Sequence, residues 1–294
     1  MHSIQYSIII LSALRQECTR RCLESIDCHT SPHEFEIIVV DMGLDAHIQE
    51  WLLEEKKRRQ RFKLILNPHN VGTSKGRNQA VEIAEGDEII FLDNDTIVTP
   101  NWLEHFKEAR QRWGNDAILG AKTVTLDGYA YLCDKYVLDY QNASQRNVGL
   151  KVIQRYHQDD SEINEETIVP WYATTAMGIH HKTLREISGF DEQLCFIEED
   201  KDLCFRARQK GKFIVYCPSV CIIHDRLNDG IYDEVVRFGN TARLKNDILF
   251  FENRWDCHVQ LIYSRECLKT FGFSDQMIHN VLNGDLRHFF TVIS

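Results

Sequence analysis

Glu88-Ile89-Ile90-Phe91-Leu92-Asp93-Asn94-Asp95 is the stretch from which this chain of 294 residues is read. Four consecutive apolar residues describe a strand buried on both faces, and two carboxylates follow directly where that strand ends. Strand-length apolar runs also occupy 6–11, 35–40 and 62–66, so the four begin about 26–29 residues apart. Helix-forming stretches lie between them, at roughly 15–28, 46–60 and 73–85. Strands alternating with helices predict βαβ units, an α/β fold with a mixed, mostly parallel sheet flanked by helices. In such sheets ligands bind beyond the carboxyl ends of the strands, so residues following each apolar run are the first candidates for chemistry.

Beyond residue 95 the pattern continues less regularly. Thr99-Pro100 predicts a helix start, with Thr99 as cap and Pro100 at the first helical position, and 117–124 reads as a strand. Residues 127–170 are polar, tyrosine-rich and broken by Gly128, Gly149 and Pro170, which predicts an elaborated loop or short hairpin. Apolar patterning returns at 171–179. A helix follows over 199–210, closed by Gly211, with strands at 213–216 and 220–223. From about 231 the chain reads as a helical tail, with Phe250-Phe251, Trp255 and Phe289-Phe290 as packing surface. The expected organisation is one domain over 1–228, in halves 1–100 and 101–228, with a helical extension over 229–294 packed on it.

Composition removes several function classes. Lys and Arg number 34 against 44 Asp and Glu, a formal charge of −10, which argues against nucleic acid as partner. No apolar run approaches the ~20 residues of a membrane-spanning helix, so no transmembrane segment is expected. The first residues lack the basic and apolar regions of an export signal. Ten cysteines occur with no Cys-x2-Cys pair, which speaks against zinc ribbons and for reduced thiols. The expected location is cytoplasmic, with a peripheral membrane contact through the tail left open.

Candidate chemistry clusters behind the strands. Asp41, after the second run, can accept hydrogen bonds from a ribose or nucleobase, and it equally fits a plain turn before Gly43. Asn67-Pro68-His69-Asn70-Val71-Gly72-Thr73-Ser74-Lys75-Gly76-Arg77-Asn78 carries small residues and two cations into a helix start, where anions are favoured. It is neither a Walker loop nor a dinucleotide fingerprint. Asp93 and Asp95 are pushed together at a strand end, where like charges call for a cation; hard oxygen ligands favour Mg²⁺ or Mn²⁺. As a bare triplet Asp-x-Asp is weak, since Asp200-Lys201-Asp202 is a second one, so its place behind a buried strand carries the inference. Glu198, Glu199, Asp200 and Asp202 crowd a helix start, and His224 directly follows an apolar run.

These elements, in this order, resemble the family 2 glycosyltransferases of the GT-A (Rossmann-like) fold over roughly residues 5–226. The resemblance implies donor contacts from the first loop (Ser12, Arg15), from Asp41, from the Asn70-x-Gly72-x3-Gly76-Arg77-Asn78 segment including Lys75, and from Asp93 and Asn94. It implies a metal site of Asp95 and His224 with Asp93, holding Mn²⁺ or Mg²⁺, and Asp200 as catalytic base in Glu199-Asp200-Lys201-Asp202-Leu203-Cys204-Phe205-Arg206. Trp171, Thr175, Met177 and Glu199 are the candidate acceptor-side residues. Two segments depart from the family pattern: Asp41-Met42-Gly43-Leu44, and Thr174-Thr175-Ala176-Met177-Gly178-Ile179-His180-His181. The Gln-x2-Arg-Trp signature of processive synthases is only grazed by Phe251-Glu252-Asn253-Arg254-Trp255. The implied activity is inverting, metal-dependent transfer of one sugar from a nucleoside diphosphate sugar, UDP-sugar first, to a carbohydrate or other hydroxyl acceptor. A sugar-phosphate nucleotidyltransferase is the alternative, disfavoured because Leu11-Ser12-Ala13-Leu14-Arg15 has no glycine. A non-catalytic sugar-nucleotide-binding relative is a third reading, disfavoured by the intact carboxylates.

Overall fold

The computed structural model describes residues 5–31, 35–225, 241–270, 274–283 and 287–293. The first half is the expected alternation: β1 (Tyr6–Ser12), α1 (Gln16–His29), β2 (Phe35–Asp41), α2 (Ala46–Arg58), β3 (Phe62–Leu66), α3 (Thr73–Ile83) and β4 (Glu88–Asp93). Then come β5 (Thr96–Val98), α4 (Trp102–Trp113), β6 (Ala117–Val124), β7 (Ala130–Leu132), β8 (Val137–Gln141), β9 (Arg146–Val152) and β10 (Thr167–Val169). The second half continues with β11 (Ala176–His180), α5 (His181–Glu186), α6 (Glu199–Gln209) and β12 (Phe213–His224). The tail holds α7 (Thr241–Trp255), β13 (Cys257–Ser264), α8 (Arg265–Thr270), α9 (Asp275–Asn283) and β14 (Phe290–Ile293).

The main sheet runs β10-β12-β6-β11-β4-β1-β2-β3, with β5 and β7 paired at its side. β1 pairs in parallel with both β2 and β4, whereas β11 enters antiparallel between β4 and β6. Side chains alternate across such a strand, and the two cores follow that period of two. Ile9, Ile38, Ile89 and Phe91 pack on one face, and Ile8, Ile10, Ile37, Ile90 and Leu92 pack on the other. Burial on both faces is why these strands read as continuous apolar runs.

Three expectations are corrected. The helix after Pro100 begins at Trp102 with Asn101 as its cap residue; Thr99 instead donates its hydroxyl to the Cys221 carbonyl, 2.6 Å. The apolar runs at 213–216 and 220–223 form one strand, β12, with an irregularity between Cys217 and Cys221. The tail is not wholly helical: β13 pairs in parallel with β9 and β14, completing a second sheet ordered β14-β13-β9-β8. That sheet needs a close approach, since a Cβ on Gly149 would lie 1.8 Å from the Gln260 carbonyl oxygen. Cys257, Val259, Leu261 and Tyr263 alternate with polar or outward residues, a strand period, but its partner β9 lies about a hundred residues upstream. The hairpin expected within 127–170 is β8–β9. The expected domain boundary at 228 lies outside the described residues. All ten cysteines are free, and no helix among the described residues is long and apolar enough to cross a membrane.

Candidate active site

Asp93 and Asp95 flank the turn between β4 and β5, at the carboxyl end of the central strand. β5 pairs with β12 so that Thr96 faces His224, and the Asp225 N–H donates to the Asp95 carbonyl at 2.7 Å. This register, set by short antiparallel pairing, brings residues about 130 positions apart to one point. His224 Nε2 lies 3.4 Å from Asp95 Oδ1 and 4.0 Å from Asp93 Oδ2. One potential ligand atom from each of the three lies within 4.8 Å of the others. Tyr131 on β7 stacks on the His224 ring, centroids 4.1 Å apart and 8° from parallel, which limits the imidazole's rotation. Arg15 lies 3.7 Å from Asp95 and Arg77 3.9 Å from Asp93. Burial and the Asp95 charge nevertheless raise the Asp93 carboxyl above its ordinary range.

Asp200 stands in the first turn of α6, behind Glu198, whose left-handed backbone (φ 70°) turns the chain into the helix. Burial, with the charges of Glu199 and Glu198 added, pushes the Asp200 carboxyl up to about 7. Glu198 is itself buried and paired through both oxygens with Lys201 at 2.8 Å. Glu199 accepts from Arg77 at 2.7 Å and from the Thr73 hydroxyl at 3.1 Å. Arg77 therefore bridges the two acidic groups, with its guanidinium also over the Phe190 ring at 5.3 Å. The start of α3 is stapled to the same segment: the Thr73 N–H and hydroxyl both donate to the Cys195 carbonyl, at 2.6 and 2.9 Å. Gly72 permits this approach, because its φ is +88° and a Cβ there would lie 2.9 Å from that carbonyl oxygen. Asp93, Asp95, His224 and Asp200 all line one cavity of about 330 Å³.

Residues 7–130 match the family model for glycosyl transferase family 2. The pre-mycofactocin glycosyltransferase of Mycobacterium tuberculosis is 24% identical over 190 residues, 62% of this chain and 37% of that protein. GalNAc-T7, solved with UDP, GalNAc and Mn²⁺, superposes with a TM-score of 0.61 at 16% identity, over 78% of this chain and 44% of that one. A mannosyltransferase of Pyrobaculum calidifontis, solved with GDP-Man and Mn²⁺, superposes at 0.59 with 11% identity, over 86% and 65%. Residues 7–130 form a glycosyl transferase family 2 segment, and the chain has the GT-A fold. It spans less than two-fifths of the mycobacterial relative.

Within this GT-A domain the structure gathers some expected residues and places others elsewhere. Asn70, Arg77, Asp93, Asn94, Asp95, Trp171, Thr175, Glu199, Asp200 and His224 line the cavity. Ser12 does not: it is buried against the Thr19 hydroxyl, 3.3 Å away. Asp41 is fully buried, held by the Gly43 N–H and by Gln49, so the cavity wall there is Leu11, Ala13 and Met42. Gly72 and the exposed Lys75 border a separate shallow groove with His69, Cys195 and Arg243. Met177, expected on the acceptor side, lies in the core, because on β11 its side chain points between the sheet and its covering layer. Asn94 turns part of its amide toward α1, donating to the Thr19 hydroxyl at 2.9 Å.

The sequence reading expects the tail to help build the pockets but names none of its residues; the structure supplies them. Asp247 on α7 accepts N–H groups from Cys195, Phe196 and Ile197 at 3.0, 2.8 and 3.3 Å. Burial outweighs these bonds and pushes its carboxyl up to about 6. Arg254 and the Trp255 indole both donate to Asp202, at 2.9 and 3.0 Å. No spacing rule links these residues, although each carries a polar group on an apolar helix. Asp247 acts as a positioning residue for the loop leading to Asp200. Asp247→Ala orphans three N–H groups and should lower unfolding free energy by about 1–3 kcal/mol. The variant's urea midpoint measures this; an unchanged midpoint contradicts the clamp.

Proposed function

We propose that the chain transfers a single sugar, with inversion, from a nucleoside diphosphate sugar to an acceptor hydroxyl, with UDP-sugar as donor. One observation carries this reading: Asp93, Asp95 and His224 converge on the wall of the cavity that Asp200 also lines. Two carboxylates and an imidazole form a donor set suited to Mn²⁺ or Mg²⁺. Ligand atoms held about 2.1 Å from a common centre lie roughly 3–4 Å apart, close to the 4.8 Å span here. The residues fit the ion. Bound there, a divalent cation would neutralise charge on a leaving diphosphate. GalNAc-T7, with UDP and Mn²⁺ in its structure, supports the choice of donor and metal.

The chain's own side chains supply the rest. Arg77 brings a fixed positive charge to the diphosphate side of the cavity, beside Asp93. Asp200 takes the proton of the acceptor hydroxyl as that oxygen attacks the anomeric carbon, and the bond from that carbon to the diphosphate oxygen breaks. One base and one in-line displacement give inversion. Lys75, outside the cavity, has no part in this scheme.

Two measurements test the reading. A thermal-shift panel of UDP, GDP and their sugars, with and without Mn²⁺, should show stabilisation that needs both nucleotide and cation. Turnover should release nucleoside diphosphate; release of pyrophosphate would instead favour a nucleotidyltransferase. The raised Asp200 carboxyl sets the pH dependence. A base works deprotonated, so kcat/KM should climb about tenfold per pH unit below about 7 and level off above it. A flat profile between about pH 5.5 and 8.5 contradicts the assignment of Asp200 as base.

A further inference from the structure

The cavity has two chemically different walls. One is the acidic wall already described, with Asn70, Thr73 and Arg77 beside it. The other comes from the second sheet and α7, elements whose association no local pattern announces. Leu150 and Val152 on β9 are two residues apart and share a face, as do Leu261 and Tyr263 on β13. The pairing puts Leu150 beside Leu261 and Val152 beside Tyr263, and sets Phe290 of β14 next to Leu261. Leu244 and Ile248, one turn apart on α7, add to the same wall. None of these seven side chains is ionisable at neutral pH, and Leu150, Tyr263 and Phe290 are only half-buried.

A carbohydrate acceptor does not suit that wall. Its several hydroxyls would leave water for a wall on which the Tyr263 oxygen is the one side-chain polar atom among the seven, while the neighbouring Trp171 indole donates to the Leu138 carbonyl and the Lys201 ammonium is held by Glu198. An apolar group loses nothing on entering and removes apolar wall from water. We propose that the acceptor is an alcohol carrying an apolar group, an alkyl chain or an aromatic ring, which lies on this wall while its hydroxyl faces Asp200. This narrows the acceptor left open above and rests on the transfer reading. The balance is unchanged: the hydroxyl proton passes to Asp200, the acceptor oxygen bonds to the anomeric carbon, and the nucleoside diphosphate leaves with the electron pair of its broken bond.

The test compares decanol and 4-nitrophenol with glucose and methyl glucoside as acceptors for UDP-sugars. One or both apolar alcohols should exceed both sugars at least about tenfold in kcat/KM, and their ranking separates an alkyl from an aryl occupant. Separately, the protein should bind the fluorescent probe N-phenyl-1-naphthylamine, with decanol competing. Leu150→Asp places a charge at a half-buried position of the wall. It should raise the probe Kd and the decanol KM at least about tenfold while UDP–Mn²⁺ affinity, which also reports folding, changes less than about twofold. Phe290→Asp repeats the test from another strand. Sugars accepted as well as decanol and 4-nitrophenol, or probe binding indifferent to both substitutions, overturn the proposal. Wild-type protein that binds the probe on this wall but binds no nucleotide would instead overturn the transfer reading and leave the apolar site standing.

Discussion

Asp200→Asn is expected to lower kcat by about 10²–10⁴-fold while nucleotide affinity stays within about twofold. The carboxamide keeps the size of the side chain and cannot take a proton. The substitution also removes a buried charge: the burial of Asp200, with the repulsion of Glu199 and Glu198 added, pushes its carboxyl up to about 7. Melting temperature should therefore hold or rise above neutral pH, the pattern of a residue kept for chemistry at the expense of stability. An inactive variant with a lowered melting temperature and lost nucleotide binding would point to a structural role. Near wild-type turnover would remove Asp200 from the mechanism altogether.

The second large effect concerns the cation. EDTA should abolish transfer, and Mn²⁺ or Mg²⁺ should restore it. A readout independent of turnover comes from melting: Mn²⁺ at about 100 times its Kd should stabilise the wild type by about 2.7 kcal/mol. His224→Ala should lose most of that response, as should Asp95→Asn, because each removes one of three converging ligand atoms. Asp95→Asn relieves repulsion at Asp93 and gives up the pairing with Arg15 and His224, so its Mn²⁺ response is read against its own cation-free melting temperature. Full activity in the chelator, or equal Mn²⁺ stabilisation of His224→Ala, would refute the metal site.

Much of the site was legible because its parts stand at strand and helix ends. Asp93 and Asp95 follow an apolar run, Arg77 sits in a glycine-punctuated helix start, and Asp200 lies in an acidic helix start before an amphipathic stretch. These are local signals, and strand ends are where α/β sheets hold ligands. Residues whose direction depends on packing were less legible. Ser12 and Met177 sit at plausible positions in the chain, yet their side chains point into packed layers. Strand alternation tells two faces apart but not which face meets a cavity. Lys75 shares its segment with Arg77 and emerges on the other side of α3, two residues being about 200° of helical turn.

The sequence by itself determined the βαβ alternation, the buried central strand and the acidic groups at element ends, because burial on both faces of a strand and helix-start chemistry each leave a signature within a few residues. Only the tertiary structure decided that β13 pairs with β9, that Asp247 clamps the loop before Asp200, and that seven apolar side chains face the acidic wall. Those contacts join residues about fifty to more than a hundred positions apart, where register and packing, not local periodicity, select the partner.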